Sequence, residues 1–115
     1  MLTNQKSSNS FVPLQTVQGI DLGEFCNTLS GKMLIIWGAG HQGRVLQRAF
    51  ERIGYINTAF CDNNTLLYNQ AINGKYVFQP QTAIELAKTK NAILILANFQ
   101  HLSTLKHACQ DSGLQ

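Results

Sequence analysis

The sequence predicts an α/β fold: a parallel sheet of about four strands with flanking helices, in the order β-α-β-β-α-β-α. Three observations lead there. Met33–Trp37 and Ala92–Ala97 are unbroken apolar runs, as expected of strands covered on both faces. The segments that follow the strands carry apolar residues at helical spacing. A hydrophobic fraction of 44% over 115 residues suffices for one packed domain.

Residues 1–10 hold Ser, Asn and Gln where a core element needs apolar side chains, and they read as disordered. A flexible lead is expected over residues 1–20, with the domain proper over 21–115. Within that lead, Phe11, Val12, Leu14 and Val17 suggest a short extended piece around Pro13. Asp21 can cap a short helix with Glu24 three residues on, Leu22, Phe25 and Leu29 as its apolar stripe and Gly31 as its end. Met33–Trp37 is the first strand. Val45, Leu46, Ala49, Phe50 and Ile53 then mark the inward face of a helix. Arg44, Gln47, Arg48, Glu51 and Arg52 take its outward face, and Gly54 its C-terminus.

Tyr55–Cys61 reads as the second strand, Asn63 to Gly74 as a polar loop, and Tyr76–Phe78 as a brief third strand. Pro80 suits the first turn of a helix that buries Ala83, Ile84, Leu86 and Ala87. Ala92–Ala97 is the fourth strand. His101 to Ser112 is the last helix, with Leu102, Leu105, Ala108 and Cys109 inward and Gly113 at its end.

Composition excludes several classes. Charged residues are 13%, against about 25% in ordinary soluble proteins; ten Asn and eleven Gln stand in their place. The net charge of +3 is dispersed, so no nucleic-acid surface is expected. No apolar run approaches the roughly 18 residues of a membrane span. Cys26, Cys61 and Cys109 are odd in number, without a C-x-x-C pair or zinc spacing, and read as core residues of a protein in the reducing cytoplasm. The N-terminus lacks the apolar stretch of a signal peptide.

The chemistry-bearing feature is Gly38-Ala39-Gly40-His41-Gln42-Gly43, a G-x-G-x-x-G between a strand and a helix, with Asp62 ending the next strand 24 positions beyond Gly38. Such a loop sets a diphosphate on the positive helix N-terminus, and such an acid accepts from a ribose hydroxyl. Gly38 permits the turn, Gly40 the approach of the diphosphate, and Gly43 the seating of the helix on the sheet. His41 and Arg44 flank the loop within reach of a phosphate, or else are ordinary first-turn side chains. Asn98 follows the fourth strand at the sheet's carboxyl edge, or simply makes a turn. The alternative for the whole motif is a loop that kept its turn and binds nothing. Asp62 is followed by neutral Asn63 and Asn64, which disfavours a 2′-phosphate and hence NADP. Trp37 stands where S-adenosylmethionine sites carry an acid. His101 and His107 read as surface residues. No Tyr-x-x-x-Lys pair and no nucleophile elbow is present, so no catalytic set is visible and enzymatic activity stays open.

From Lys32 to Leu114, about seventy per cent of the chain, the sequence resembles the small Rossmann-like nucleotide-binding domains attached to sugar-modifying enzymes. The resemblance is carried by Gly38-Ala39-Gly40-His41-Gln42-Gly43-Arg44, Phe60-Cys61-Asp62-Asn63, Ile72–Pro80 and Ala92–Ala97. Similar modules accompany FkbM-type methyltransferases, the nucleotide-sugar dehydratases and epimerases of polysaccharide synthesis, and UDP-amino-sugar acyltransferases. His41 and Gln42 depart from the Gly-His pair of the acyltransferase version. The resemblance implies a nucleotide or nucleotide-sugar at Gly38, Gly40, Gly43 and Asp62, and a larger parent enzyme.

The expected function is therefore a module binding NAD or a nucleotide-sugar that serves a sugar-modifying enzyme; the alternative is a non-catalytic interaction or assembly domain. Right-handed crossovers would align the four strands as 3-2-1-4 and leave Ala92–Ala97 at an edge. That edge is expected to be covered by a second copy, or by further chain of a longer protein that carries the catalytic domain; the alternative is a compact variant whose own Phe11–Val17 segment shields it.

Overall fold

The two unbroken apolar runs lie side by side in the middle of one sheet. The computed structural model describes residues 10–68, 70–98 and 101–114. Its elements are β1 (Phe11–Pro13), α1 (Leu14–Gln18), α2 (Leu22–Asn27), β2 (Met33–Trp37), α3 (His41–Arg52) and β3 (Thr58–Cys61). A single 3-10 turn (Thr65–Leu67), β4 (Ala71–Ile72), β5 (Lys75–Phe78), α4 (Pro80–Lys88), β6 (Ala92–Leu96) and α5 (Leu102–Asp111) complete them. The sheet order is β1-β6-β2-β3-β5-β4, parallel throughout except for β4. The protein is thus α/β with a six-stranded, mostly parallel sheet, two strands more than expected. The four strands read from the sequence are contiguous within it as β6-β2-β3-β5.

Alternation along the strands divides the core in two. Leu34, Ile36, Phe60, Val77 and Ile95 face one side, packed under Leu46 and Phe50 of α3 and Leu14, Val17, Phe25 and Leu29 of the N-terminal segment. Ile35, Trp37, Ala59, Cys61, Leu94 and Leu96 face the other, under Ala83, Ile84 and Ala87 of α4 and Leu105 and Cys109 of α5. Among the described residues no helix is long and apolar enough to cross a membrane.

At the edge the structure takes the alternative, cover by the chain's own N-terminal segment, in place of a second copy or further chain. β6 is flanked by β1 of its own chain, with Phe11, Val12 and Pro13 opposite Leu94, Ile95 and Leu96 and the Leu94 amide donating to the Ser10 carbonyl at 2.9 Å. A proline is tolerated there because an edge strand leaves one side's N–H groups unpaired anyway. Residues 1–9 of the expected flexible lead lie outside the described residues. The rest of it belongs to the fold, since Leu14 and Val17 are buried in the core. Asp21 does cap α2, accepting from the Glu24 amide at 3.1 Å, but that helix stops at Asn27 rather than Gly31.

Two further corrections concern α3 and the loop after β3. Val45 and Ile53, assigned inward, are about half exposed at 54% and 49%, while Gln47, assigned outward, is fully buried. The helix is turned so that the Gln47 amide reaches Thr58 Oγ1 at 3.2 Å and Glu51 Oε1 at 3.1 Å. The stretch read as a loop contains β4, paired antiparallel with β5 across Asn73-Gly74. β3 begins at Thr58, three residues later than expected.

Docking of the N-terminal segment is testable. Leu14→Ala should lower unfolding stability by about 2–5 kcal/mol, as for other buried leucines, in urea denaturation. A flexible lead would show no loss.

Candidate functional site

Parallel strands end at one edge, and register decides what meets there. Trp37 is opposite Cys61 on one side and Leu96 on the other. Gly38, Asp62 and Ala97-Asn98 therefore emerge side by side, tied by Gly38 N–H to the Cys61 carbonyl (2.8 Å) and Ala97 N–H to the Trp37 carbonyl (2.9 Å). The helix that follows β2, α3, lies on one face of the sheet, and the helix that follows β6, α5, lies on the other. In open α/β sheets such a divergence leaves a crevice at the strand ends.

The glycines divide their work. Gly38 has φ +122° and lies against Ala97 and Asn98, so a side chain there would be both strained and crowded. A Cβ on Gly43 would overlap the carbonyl oxygen of Gly38, so only glycine lets α3 sit this close to β2. Around Gly40 a Cβ would meet nothing within 4 Å, so crowding among the described residues does not call for glycine there. Gly40 is the N-cap of α3, with no side chain capping the helix and no acidic residue in its first turn. The open N–H groups of that turn, and the positive helix end, are left for solvent or an anion.

Ala39 is held at both of its backbone polar atoms. Its N–H donates to Asp62 Oδ2 at 2.9 Å, and its carbonyl accepts from Arg44 Nε at 2.8 Å. The other Asp62 oxygen accepts from the Asn64 amide at 2.9 Å, and Tyr68 Oη donates to the Asp62 carbonyl at 2.9 Å. Each carboxylate oxygen retains a further lone pair for a ligand hydroxyl. Asp62 is thus a latch on the glycine-rich loop as well as a candidate acceptor.

Two adjoining cavities occupy the crevice. One of about 480 Å3 is lined by Gly38, Gly40, His41, Gln42, Gly43, Asp62, Ala97 and Asn98. The other, about 260 Å3, shares Gly38, Asp62 and Asn98 with it and adds Trp37, Asn63, His101, Thr104 and Leu105. Of the residues expected at the site, Gly38, Gly40, His41, Gln42, Gly43, Asp62 and Asn98 surround the larger space and Asn63 the smaller. Ala39 is buried and Arg44 turns back onto the loop; neither lines either cavity.

Sequence reasoning missed the wall made by Trp37, His101 and Thr104. Trp37 Nε1 donates to Asn63 Oδ1 at 2.9 Å, which fixes the indole beneath the smaller cavity and leaves the Asn63 amide nitrogen available. In the sequence Trp37 is simply the last member of an apolar run, and the only signal was its place immediately before Gly38.

The site offers binding groups and little reactivity. Burial pushes the Cys61 thiol far above its ordinary range, with Asp62 and Cys109 adding to the shift, and burial raises Cys109 to about 11. Neither forms a thiolate near neutral pH. Among the described residues no group of His, Cys, Asp and Glu could hold a metal ion.

Two substitutions test this geometry without any ligand. Asp62→Ala leaves the buried Ala39 amide unpaired and should cost about 1–3 kcal/mol of stability in denaturant titrations; no cost would mean the latch does not hold the loop. Gly43→Ala forces α3 off β2 and should cost at least about 1–3 kcal/mol, the range for overpacking. Wild-type stability would refute the close seating. No family model, curated protein or solved structure matches this chain.

Proposed function

We propose that this chain is a Rossmann-like nucleotide-binding domain whose crevice takes NAD or a nucleotide-sugar, in the service of a sugar-modifying enzyme. The observation that carries the reading is the uncapped N-terminus of α3 beneath the 480 Å3 cavity, with Asp62 fixed beside it. A diphosphate over Gly40 and the first turn of α3 would meet open N–H groups and the positive helix end. A ribose beside it would reach the free lone pairs of Asp62. The cavity volumes fall in or near the ordinary range of roughly 300–1,000 Å3 for small-molecule sites. Asp62, with neutral Asn63 and Asn64 after it, supports NAD over NADP. The tie to sugar chemistry rests on the resemblance of Lys32–Leu114 alone.

One observation favours the second reading, an interaction domain with an empty loop. Both Asp62 oxygens already accept backbone N–H groups, so the acid has a structural task even without a ligand.

Titration with NAD, UDP and UDP-sugars, read by calorimetry and thermal unfolding, separates the two. A ligand at one hundred times its dissociation constant should add about 2.7 kcal/mol to stability. Gly40→Val should keep the fold, because the space beside Gly40 is open, at a loss of about 1 kcal/mol from the poorer N-cap, and should lose the ligand. Unchanged binding in that variant would overturn the site assignment, and no binding by the wild type would favour the interaction domain.

A further inference from the structure

The two cavities at the strand ends share Gly38, Asp62 and Asn98 as a common wall. Gly40 and the first turn of α3 line only the larger, and Trp37, Asn63, His101 and Thr104 only the smaller. Phosphate, ribose and base follow one another in a nucleotide. A diphosphate over Gly40 and a ribose at Asp62 therefore direct the base into the smaller space. One polar group of that space has a fixed sense. The indole N–H of Trp37 can only donate, so the Asn63 atom that it meets at 2.9 Å is the amide oxygen. Turning the amide over would set two donors against each other. The Asn63 nitrogen, which has no partner among the described residues, is left to present N–H groups alone. The Thr104 hydroxyl, the His101 ring and the Asn98 amide can each donate or accept, so Asn63 is the group that tells one base edge from another.

We propose that the smaller cavity holds the nucleobase and that Asn63 donates to a ring carbonyl on its outer edge. Uracil and guanine carry this carbonyl where cytosine and adenine carry an amino group. An amino group there sets N–H against N–H and leaves both donors unpaired. Asn63 lines the smaller cavity only, beyond the wall that holds Asp62, so it faces the part of the base away from the ribose. The inference rests on the nucleotide reading above and decides between its two ligands. A nucleotide-sugar of uracil or guanine fits, and the adenine of NAD does not.

Calorimetric titration of the whole chain with UDP, CDP, GDP and ADP tests it, because each carbonyl–amino pair is alike in size and charge. In whichever pair binds, the carbonyl member should bind about tenfold tighter, the scale of one hydrogen bond made or lost. Asn63→Asp keeps an oxygen for Trp37 and turns an acceptor toward the base, so the preference should reverse. Trp37→Phe keeps a ring but removes the N–H, so the Asn63 amide can turn over and the two affinities should converge. An Asn63 with a purely structural role would shift both members of a pair equally. Equal affinities in the wild type, tighter CDP or ADP, or a preference unchanged in either variant overturns the proposal while the nucleotide reading stands. Where Asn63→Asp binds none of the four, Trp37→Phe alone decides. Absence of binding by the wild type to all four overturns both.

Discussion

The contact on which the crevice depends is the seating of Gly43 against the Gly38 carbonyl. Any Cβ at position 43 would collide with that oxygen, so this one missing atom sets how near α3 comes to the end of β2. That approach brings Leu46 and Phe50 onto Leu34, Ile36 and Phe60 and closes one half of the core. It also turns the first turn of α3 toward the strand ends, where Gly40 leaves its N–H groups uncapped. Ala39, between the two glycines, is then pinned by Asp62 from β3 and by Arg44 from α3. The loop is fixed from both of the elements that it joins.

The amide-rich composition finds its reason in the interior and at the turns. Gln47 is fully buried and joins α3 to Thr58 at the start of β3, while its oxygen accepts from Asn73 at 3.0 Å. Asn73 also donates to the Arg44 carbonyl and accepts from Arg48, so the β4–β5 turn is tied to the same helix. Asn63 holds Trp37, and Asn64 accepts from the Leu66 amide to start the 3-10 turn. Neutral amides donate and accept at once, without the desolvation cost of burying charge. No buried side-chain polar atom among the described residues lacks a partner.

Legibility followed element length. Met33–Trp37 and Ala92–Leu96 are long enough for unbroken apolarity to mark them, and the helices between them long enough to show a stripe. β1 has three residues and β4 two, too few for any period, and both owe their strand geometry to a partner elsewhere in the chain. β4 still left a local sign, since Asn73-Gly74 is the two-residue turn favoured between antiparallel strands; its polar surroundings hid it. The face of α3 was misread because hydropathy ranks Gln47 as a surface residue and cannot register the three partners that draw it inward. At the site, the glycines and Asp62 were legible as neighbours because a glycine-rich turn after one strand and an acid at the end of the next meet at the same edge of a parallel sheet. Trp37, His101 and Thr104 were not, because they meet only through the packing of α5 against the sheet at β6.

The double use of Asp62 bears on how the crevice would work. A carboxylate held only by a ligand would let the loop relax when empty, and binding would then bear the cost of ordering it. Here Ala39 and Asn64 each donate to one Asp62 oxygen, so bonds within the chain tie the loop to the end of β3. Each oxygen keeps a second lone pair, with which a hydroxyl would bond without displacing either amide. The thiols nearby stay protonated, Cys61 because burial and the Asp62 charge both oppose its ionisation. What the crevice presents is therefore a set of donors and acceptors held by bonds within the chain, the arrangement that the proposed nucleotide site calls for.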